Sequence, residues 1–267
     1  MPLSLSAQNR EYGYFIRRGS STVRAKGPDE MELLGLAATV PYDDRVNQRA
    51  KVTDFKRSLI EDYLRQVGSA LADEMESLGI EEIARQMRIA DGPREFLLPQ
   101  NVGLMFFNAR PSDFFPQTQI DVVLFPDGPG ADSFTEKIFS GPIDSMLRAA
   151  LAYIRDTVIE ERVEKVPDRA EANRYFNIPY EALEEVLVNA VYHRGYDIRE
   201  PIEVRVNPEG ITVLSYPGPD RSIALEDLKG TGPFKPRRYR NRRIGEFLKE
   251  LEMTEGRCTG CQKSAIP

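Results

Sequence analysis

Glu185, Asn189 and His193 stand four residues apart, the spacing that sets side chains one above another on an α-helix. A carboxylate one turn from a carboxamide suits nucleotide chemistry. The acid can orient a water as a general base, and the amide oxygen can ligate a hard Mg2+ that bridges phosphates. An isolated E-x-x-x-N pattern is more often a solvent-facing helix side, here ending in a capping histidine, so its surroundings have to decide.

The element that carries these residues is a helix within residues 177–196. Pro179 suits its start and Gly195 its end. Leu183, Val186, Leu187, Ala190 and Val191 form its apolar face, and the polar stripe begins opposite that face and drifts to its flank. A hairpin follows over 201–218, in which Ile202, Val204 and Val206 alternate and Asn207, Pro208, Glu209 and Gly210 turn the chain. Residues 235–243 then hold six basic side chains in nine. Three readings of that segment stand side by side: a lid that brings guanidinium groups to a triphosphate, a patch that contacts a nucleic-acid backbone, and a solvated loop.

Earlier elements read as support. A strand and turn fit 11–25, and a helix begins near Asp29. Thr53 is an expected N-cap for a helix with Phe55, Leu59, Ile60, Tyr63, Leu64 and Val67 on one side, and a short helix fits 81–87. An apolar stretch covers 102–107. The strand at 119–125 is apolar enough for burial on both faces. A helix opening at Pro142 carries Ile143, Met146, Leu147, Ala150, Leu151 and Ile154 as an ordinary core stripe. The polar residues 160–173 suggest a domain boundary near 170.

Composition narrows the function classes. The 267 residues, 41% hydrophobic and 29% charged, suffice for two modest domains with their own cores. Nothing approaches the ~18 apolar residues of a membrane span, and Met1–Leu5 lacks signal-peptide character, so a cytoplasmic protein without membrane contact is expected. The only cysteines, Cys258 and Cys261, cannot with the single His193 complete a four-ligand zinc site; they read as free thiols. A net charge of −6 argues against indiscriminate coating of nucleic acid and leaves only local contact. With no G-x-x-x-x-G-K-[ST] loop, a P-loop helicase motor is excluded from the reading.

The run from Glu185 through Asn189, Ala190, His193 and Arg194 to Tyr196 resembles the N-box helix E-A-L-V-N-A-h-x-H-R-D-Y of the GHKL-like ATP-binding domain in bacterial Schlafen/AlbA-type transcriptional regulators. Those proteins are also described as RecG-like helicase C-terminal modules. The likeness continues through the hairpin, through 239–244 and into 251–260. Tyr14–Thr22 resembles the closing strand of the AlbA-type domain, and 101–125 the family's middle segment.

The resemblance implies an α+β fold: a remnant of the AlbA/Schlafen-type domain at 1–25, a mixed α/β region at 26–170, and an incomplete GHKL (Bergerat-type) sandwich at 171–267. It implies ATP and Mg2+ as cofactors, Glu185 as general base, Asn189 as Mg2+ ligand, and His193 and Arg194 in support of the helix end and pocket. Pro217 and Gly218 stand where such proteins place the glycine of their adenine motif. Ser215 and Tyr216 lie beside them, without the aspartate that reads the adenine amino group. Gly256, Thr259 and Gly260 correspond to a phosphate-approaching G-R-G-T-G in which Cys258 replaces the middle glycine. Arg237, Arg238, Arg240, Arg242 and Arg243 would contact phosphate or nucleic acid.

The expected function is an ATP-binding regulatory module with weak or no hydrolysis, with DNA or RNA and a second copy of the chain as expected partners. The alternatives are a catalytically dead interaction module and nucleic-acid binding through 235–243. The tail 262–267 reads as a shifted frame of the family's next residues, so a frameshift near Cys261 and truncation at both ends are also expected.

Overall fold

A computed structural model describes residues 15–18, 21–27, 29–30, 33, 40–128, 133–165, 172–218 and 240–253. The chain divides into two units, Met1–Pro41 and Tyr42–Pro267.

In the first unit, β1 (Phe15–Arg18) and β2 (Ser21–Arg24) form an antiparallel hairpin with Phe15 opposite Arg24 and Arg18 opposite Ser21. The strand read within 11–25 falls on β1, Ser21–Arg24 is a second strand where the turn was expected, and residues 11–14 lie outside the described residues. Asp29, Glu30 and Leu33 are helical, and the rest of the helix expected from Asp29 lies outside the described residues.

The second unit begins with short turns of 3-10 helix at Tyr42–Asp44 and Val52–Asp54. Helix α1 (Arg57–Gln66) starts later than its apolar pattern suggests. Thr53 is inside the preceding turn instead of capping α1, because that turn is held separately. The Asp54 carboxylate accepts the Lys51 amide at 2.7 Å, and Asn108 Nδ2 donates to the Asp54 carbonyl at 2.7 Å. Then come α2 (Leu71–Glu74), α3 (Ile80–Gln86), the paired short strands β3 (Ala90–Asp91) and β4 (Leu98–Pro99), and α4 (Asn101–Phe107).

All seven residues of α4 are buried. Its Gly103 admits Ile89 and Phe55 so closely that a Cβ would lie 2.8 Å from Ile89 Cβ and 2.9 Å from Phe55 Cζ. Phe106 and Phe107 at its end join Tyr63 and Phe247 in an aromatic cluster whose ring centroids lie 5.0–6.1 Å apart.

A four-stranded mixed sheet follows, from β5 (Gln119–Leu124), β6 (Thr135–Ser140), β9 (Ile202–Asn207) and β10 (Gly210–Leu214), in the order β10-β9-β5-β6. The β5–β9 pair is parallel, and the other two pairs are antiparallel. Ile120 and Val122 on one face of β5 are fully buried, and Asp121 and Val123 on the other are nearly so, as the apolar run predicts for a strand covered on both sides. Helix α5 (Ile143–Val158) lies against β5 and β6 with the expected stripe buried at all six positions. Helix α6 (Tyr180–His193) packs beside α5 and β10, and α7 (Arg242–Glu250) packs on α6. Helices and mixed sheets together make this an α+β fold.

Two expectations change here. The polar residues near 160–173 are not a plain linker: β7 (Glu161–Lys165) and β8 (Ala172–Phe176) pair as an antiparallel ribbon. Its base is closed by Asn177, whose amide donates to the Val158 carbonyl at 2.9 Å and whose Oδ1 accepts the Glu160 amide at 2.8 Å. The boundary near 170 does not separate two folding units either, because β5 from before it hydrogen-bonds β9 from after it. Among the described residues no helix is long and apolar enough to cross a membrane.

Candidate functional site

Helix α6 begins after Pro179, whose φ of −64° and ψ of 121° place it at the N-cap rather than inside the helix. Leu183, Leu187, Val188, Ala190 and Val191 are buried, whereas Val186 is half-buried, so the inward face is rotated slightly from the one read in the sequence. Glu185, Asn189 and His193 follow one another along the half-buried flank. The His193 ring lies on the Tyr192 ring, with centroids 4.7 Å apart. Neither the Glu185 carboxylate nor the Asn189 carboxamide has a hydrogen-bond or ion-pair partner among the described residues. Two polar groups one turn apart are thus held at the edge of the core without an internal task.

The end of α6 is built differently. A helix leaves its last carbonyls without partners, and here side chains from three other segments supply them. Ser215 Oγ donates to the Ala190 carbonyl at 3.1 Å, and the Tyr196 hydroxyl to Val191 at 3.0 Å. Asn241 Nδ2 donates to both Tyr192 at 2.9 Å and Arg194 at 2.7 Å. Arg240 donates to the His193 carbonyl and, at 3.5 Å, to Gly218. A guanidinium at this end also offsets the negative pole of the helix dipole.

Pro217 and Gly218 are brought to this place. Gly195 N–H donates to the Tyr216 carbonyl at 2.8 Å, and a Cβ on Gly195 would lie 3.1 Å from Pro217 Cδ and 3.0 Å from Ile198 Cδ1. Gly195 therefore serves close approach of two loops instead of closing the helix in a left-handed conformation; the residue at the C-cap is Arg194. Gly218 has a φ of 84°, where glycine is favoured. The Ser215 hydroxyl is engaged with α6, and Tyr216 is half-exposed.

Arg194 is committed to the interior. It is 2% exposed, donates to the carbonyls of Ile198 at 3.3 Å and Glu200 at 2.7 Å, and stacks over Tyr196. Burial lowers its pKa from the ordinary arginine value, and its Nε has no partner.

The basic segment divides likewise. Arg243 donates to the Met87 and Arg88 carbonyls and to Glu246, which makes it an internal brace, while Arg242 is exposed beside Glu246. Arg237, Arg238, Gly256, Thr259 and Gly260 lie outside the described residues.

Sequence reasoning missed Asp43 and Asn241, both fully buried. Asp43 Oδ2 accepts the Ile244 amide in the first turn of α7 at 3.0 Å, from 201 residues away. Burial raises the Asp43 pKa from 3.8 to about 6, against hydrogen bonds from the Ile244 and Arg243 amides that lower it. Asp43 Oδ1 and Asn241 Oδ1 are both buried without a partner. No local signal marks either residue, since each acts on a segment distant in sequence.

As a metal site, the described residues contain no group of three or more His, Cys, Asp or Glu side chains. A phosphate-bridged Mg2+ asks for only one or two protein oxygens, and the Asn189 carboxamide, without a partner among the described residues, fits that requirement.

No family model matches the chain, and no curated protein matches it. Among solved structures, the DIP2311 protein from Corynebacterium diphtheriae is similar, with a TM-score of 0.57 and 19% sequence identity. The match covers 93% of this chain, which spans 46% of that one. At this identity the likeness concerns the fold alone.

Proposed function

We propose that the chain is an ATP-binding regulatory module of the transcriptional-regulator type, with Mg2+-dependent binding and weak or no hydrolysis. The observation that carries this reading is the pair Glu185 and Asn189, half-buried, one helical turn apart and without partners among the described residues. Polar groups taken partly out of water without a hydrogen bond cost free energy, and a ligand that supplies the missing partners offsets that cost.

Asn189 would hold Mg2+ through its amide oxygen, and Glu185 would orient a water next to the phosphates. Bound Mg2+ supplies charge neutralisation across the phosphate oxygens. Pro217 and Gly218, gathered against the end of α6 with Arg240, border the same stretch of helix. Arg240 and Arg243 are committed to backbone carbonyls, which weakens the reading of 235–243 as a nucleic-acid patch.

Equilibrium binding of labelled ATP with and without Mg2+ tests the proposal. Asn189→Ala is expected to weaken Mg2+-dependent binding by about tenfold, the scale of one lost hydrogen bond or ligand of about 1.4 kcal/mol. Glu185→Ala should leave binding intact. Were the module an efficient ATPase, that second variant would instead lower turnover by roughly 10²–10⁴-fold. Absence of ATP binding by the intact chain in both conditions overturns the proposal. The second reading, an interaction module, has its own observation: edge strand β6 is exposed along most of its length and carries Ile138 at 55% exposure.

A further inference from the structure

The polar groups that meet at the end of α6 are more than its cap. Asn241 spends both N–H donors on two carbonyls, Tyr192 and Arg194, on either side of His193. It is also the residue from which α7 departs. Three residues on, the Ile244 amide rests on Asp43 Oδ2. Asp43, α7's first turn, Asn241 and the last turn of α6 are thus joined in series by hydrogen bonds of 2.7–3.0 Å. A shift of the Asp43 carboxylate moves the start of α7, which moves Asn241, which moves the helix end one turn from Asn189.

The arrangement also leaves polar atoms unmatched. Both Asp43 and Asn241 bury an oxygen without a partner, and buried polar groups left unsatisfied are costly where well-packed apolar groups would not be. The series runs from Asp43 to the last turn of α6, one turn from Asn189.

We infer that Asp43 and Asn241 are positioning residues for the Glu185–His193 stripe, a relay acting in series through the start of α7 on the affinity for nucleotide. The inference rests on the nucleotide reading given above.

The test compares wild type and full-length variants by equilibrium binding of ATP with and without Mg2+, alongside their unfolding midpoints. Asp43→Ala and Asn241→Ala are each expected to weaken Mg2+-dependent binding about tenfold. The double variant should bind no more weakly than the weaker single one, since links in series are lost once. Asp43→Asn keeps an oxygen for the Ile244 amide and should restore wild-type affinity. Leu64→Ala, a core deletion in α1, should lower the midpoint without changing affinity. Affinity that merely follows the midpoint across all variants, or additive losses in the double variant, overturns the relay. If Asp43→Ala fails to fold, Asp43→Glu displaces the carboxylate by one methylene. Weakened binding then supports the relay, and wild-type affinity overturns it. Wild type that binds no ATP takes down the nucleotide reading and this inference together. Wild-type binding with indifferent variants removes only the relay.

Discussion

At the scale of single residues, Asp43 makes a measurable claim on stability. Its folded pKa of about 6 lies above the ordinary 3.8, so the folded state holds the proton more tightly than the unfolded chain does. The contribution of Asp43 to stability is then greatest below about pH 4, falls as pH rises through about 6 and levels off above that. The total change is on the order of 3 kcal/mol. Asp43→Asn removes this slope. Asp121 and Asp144 are also raised by burial and tilt both proteins in the same sense, so the informative quantity is the wild-type-minus-variant difference in denaturant midpoint between pH 4 and 7. A difference that stays constant with pH contradicts the assignment. Nothing in the sequence around Asp43 announces such a role, because its hydrogen-bond partner is 201 residues away. Glu185 and Asn189 were legible, since helical spacing alone puts them on one flank. Arg240 and Arg243 were legible only as charges: carbonyl-bracing guanidinium groups look in sequence like a cationic surface.

Elements were readable where one face differs from the other or where a short apolar run stands between turns. Helix α5 shows its six-residue stripe because its opposite side is polar, and β5 is evident from its short, continuous apolar run. Helix α4 lacks that contrast, being buried all round, and so its periodicity carries no information. The ribbon β7–β8 is polar, and only its pairing identifies it. Helix α4 also supports a prediction in which propensity and packing disagree. Replacing Gly103 with alanine should stabilise an exposed helix by up to about 1 kcal/mol. Here the new Cβ would press on Ile89 and Phe55, and overpacking of that kind costs about 1–3 kcal/mol. A lower urea midpoint for Gly103→Ala is therefore expected, and a rise would show that the helix relaxes more freely than its packing implies.

For the whole molecule, the sheet decides what can stand alone. Residues 171–267 by themselves would keep the β9–β10 hairpin but lose β5, exposing Ile202 and Val204, which are buried in the intact chain. A two-stranded hairpin is at best marginal in water, so that fragment is expected to show collapsed amide dispersion in NMR spectra, whereas the intact chain shows the dispersion of a folded sheet. Well-dispersed spectra from the fragment would restore a boundary near 170. The sequence suggested that boundary because a polar stretch resembles a linker, and strand pairing across it leaves no trace in local composition. The parallel β5–β9 pair has a consequence for the chain as it is made. Its partners are separated by about 80 residues, which a ribosome adds in roughly four to sixteen seconds. During that interval the nascent β5 can pair with β6 on one edge while its other edge waits for a strand still to be translated, which makes this edge the natural place for a holding chaperone to act.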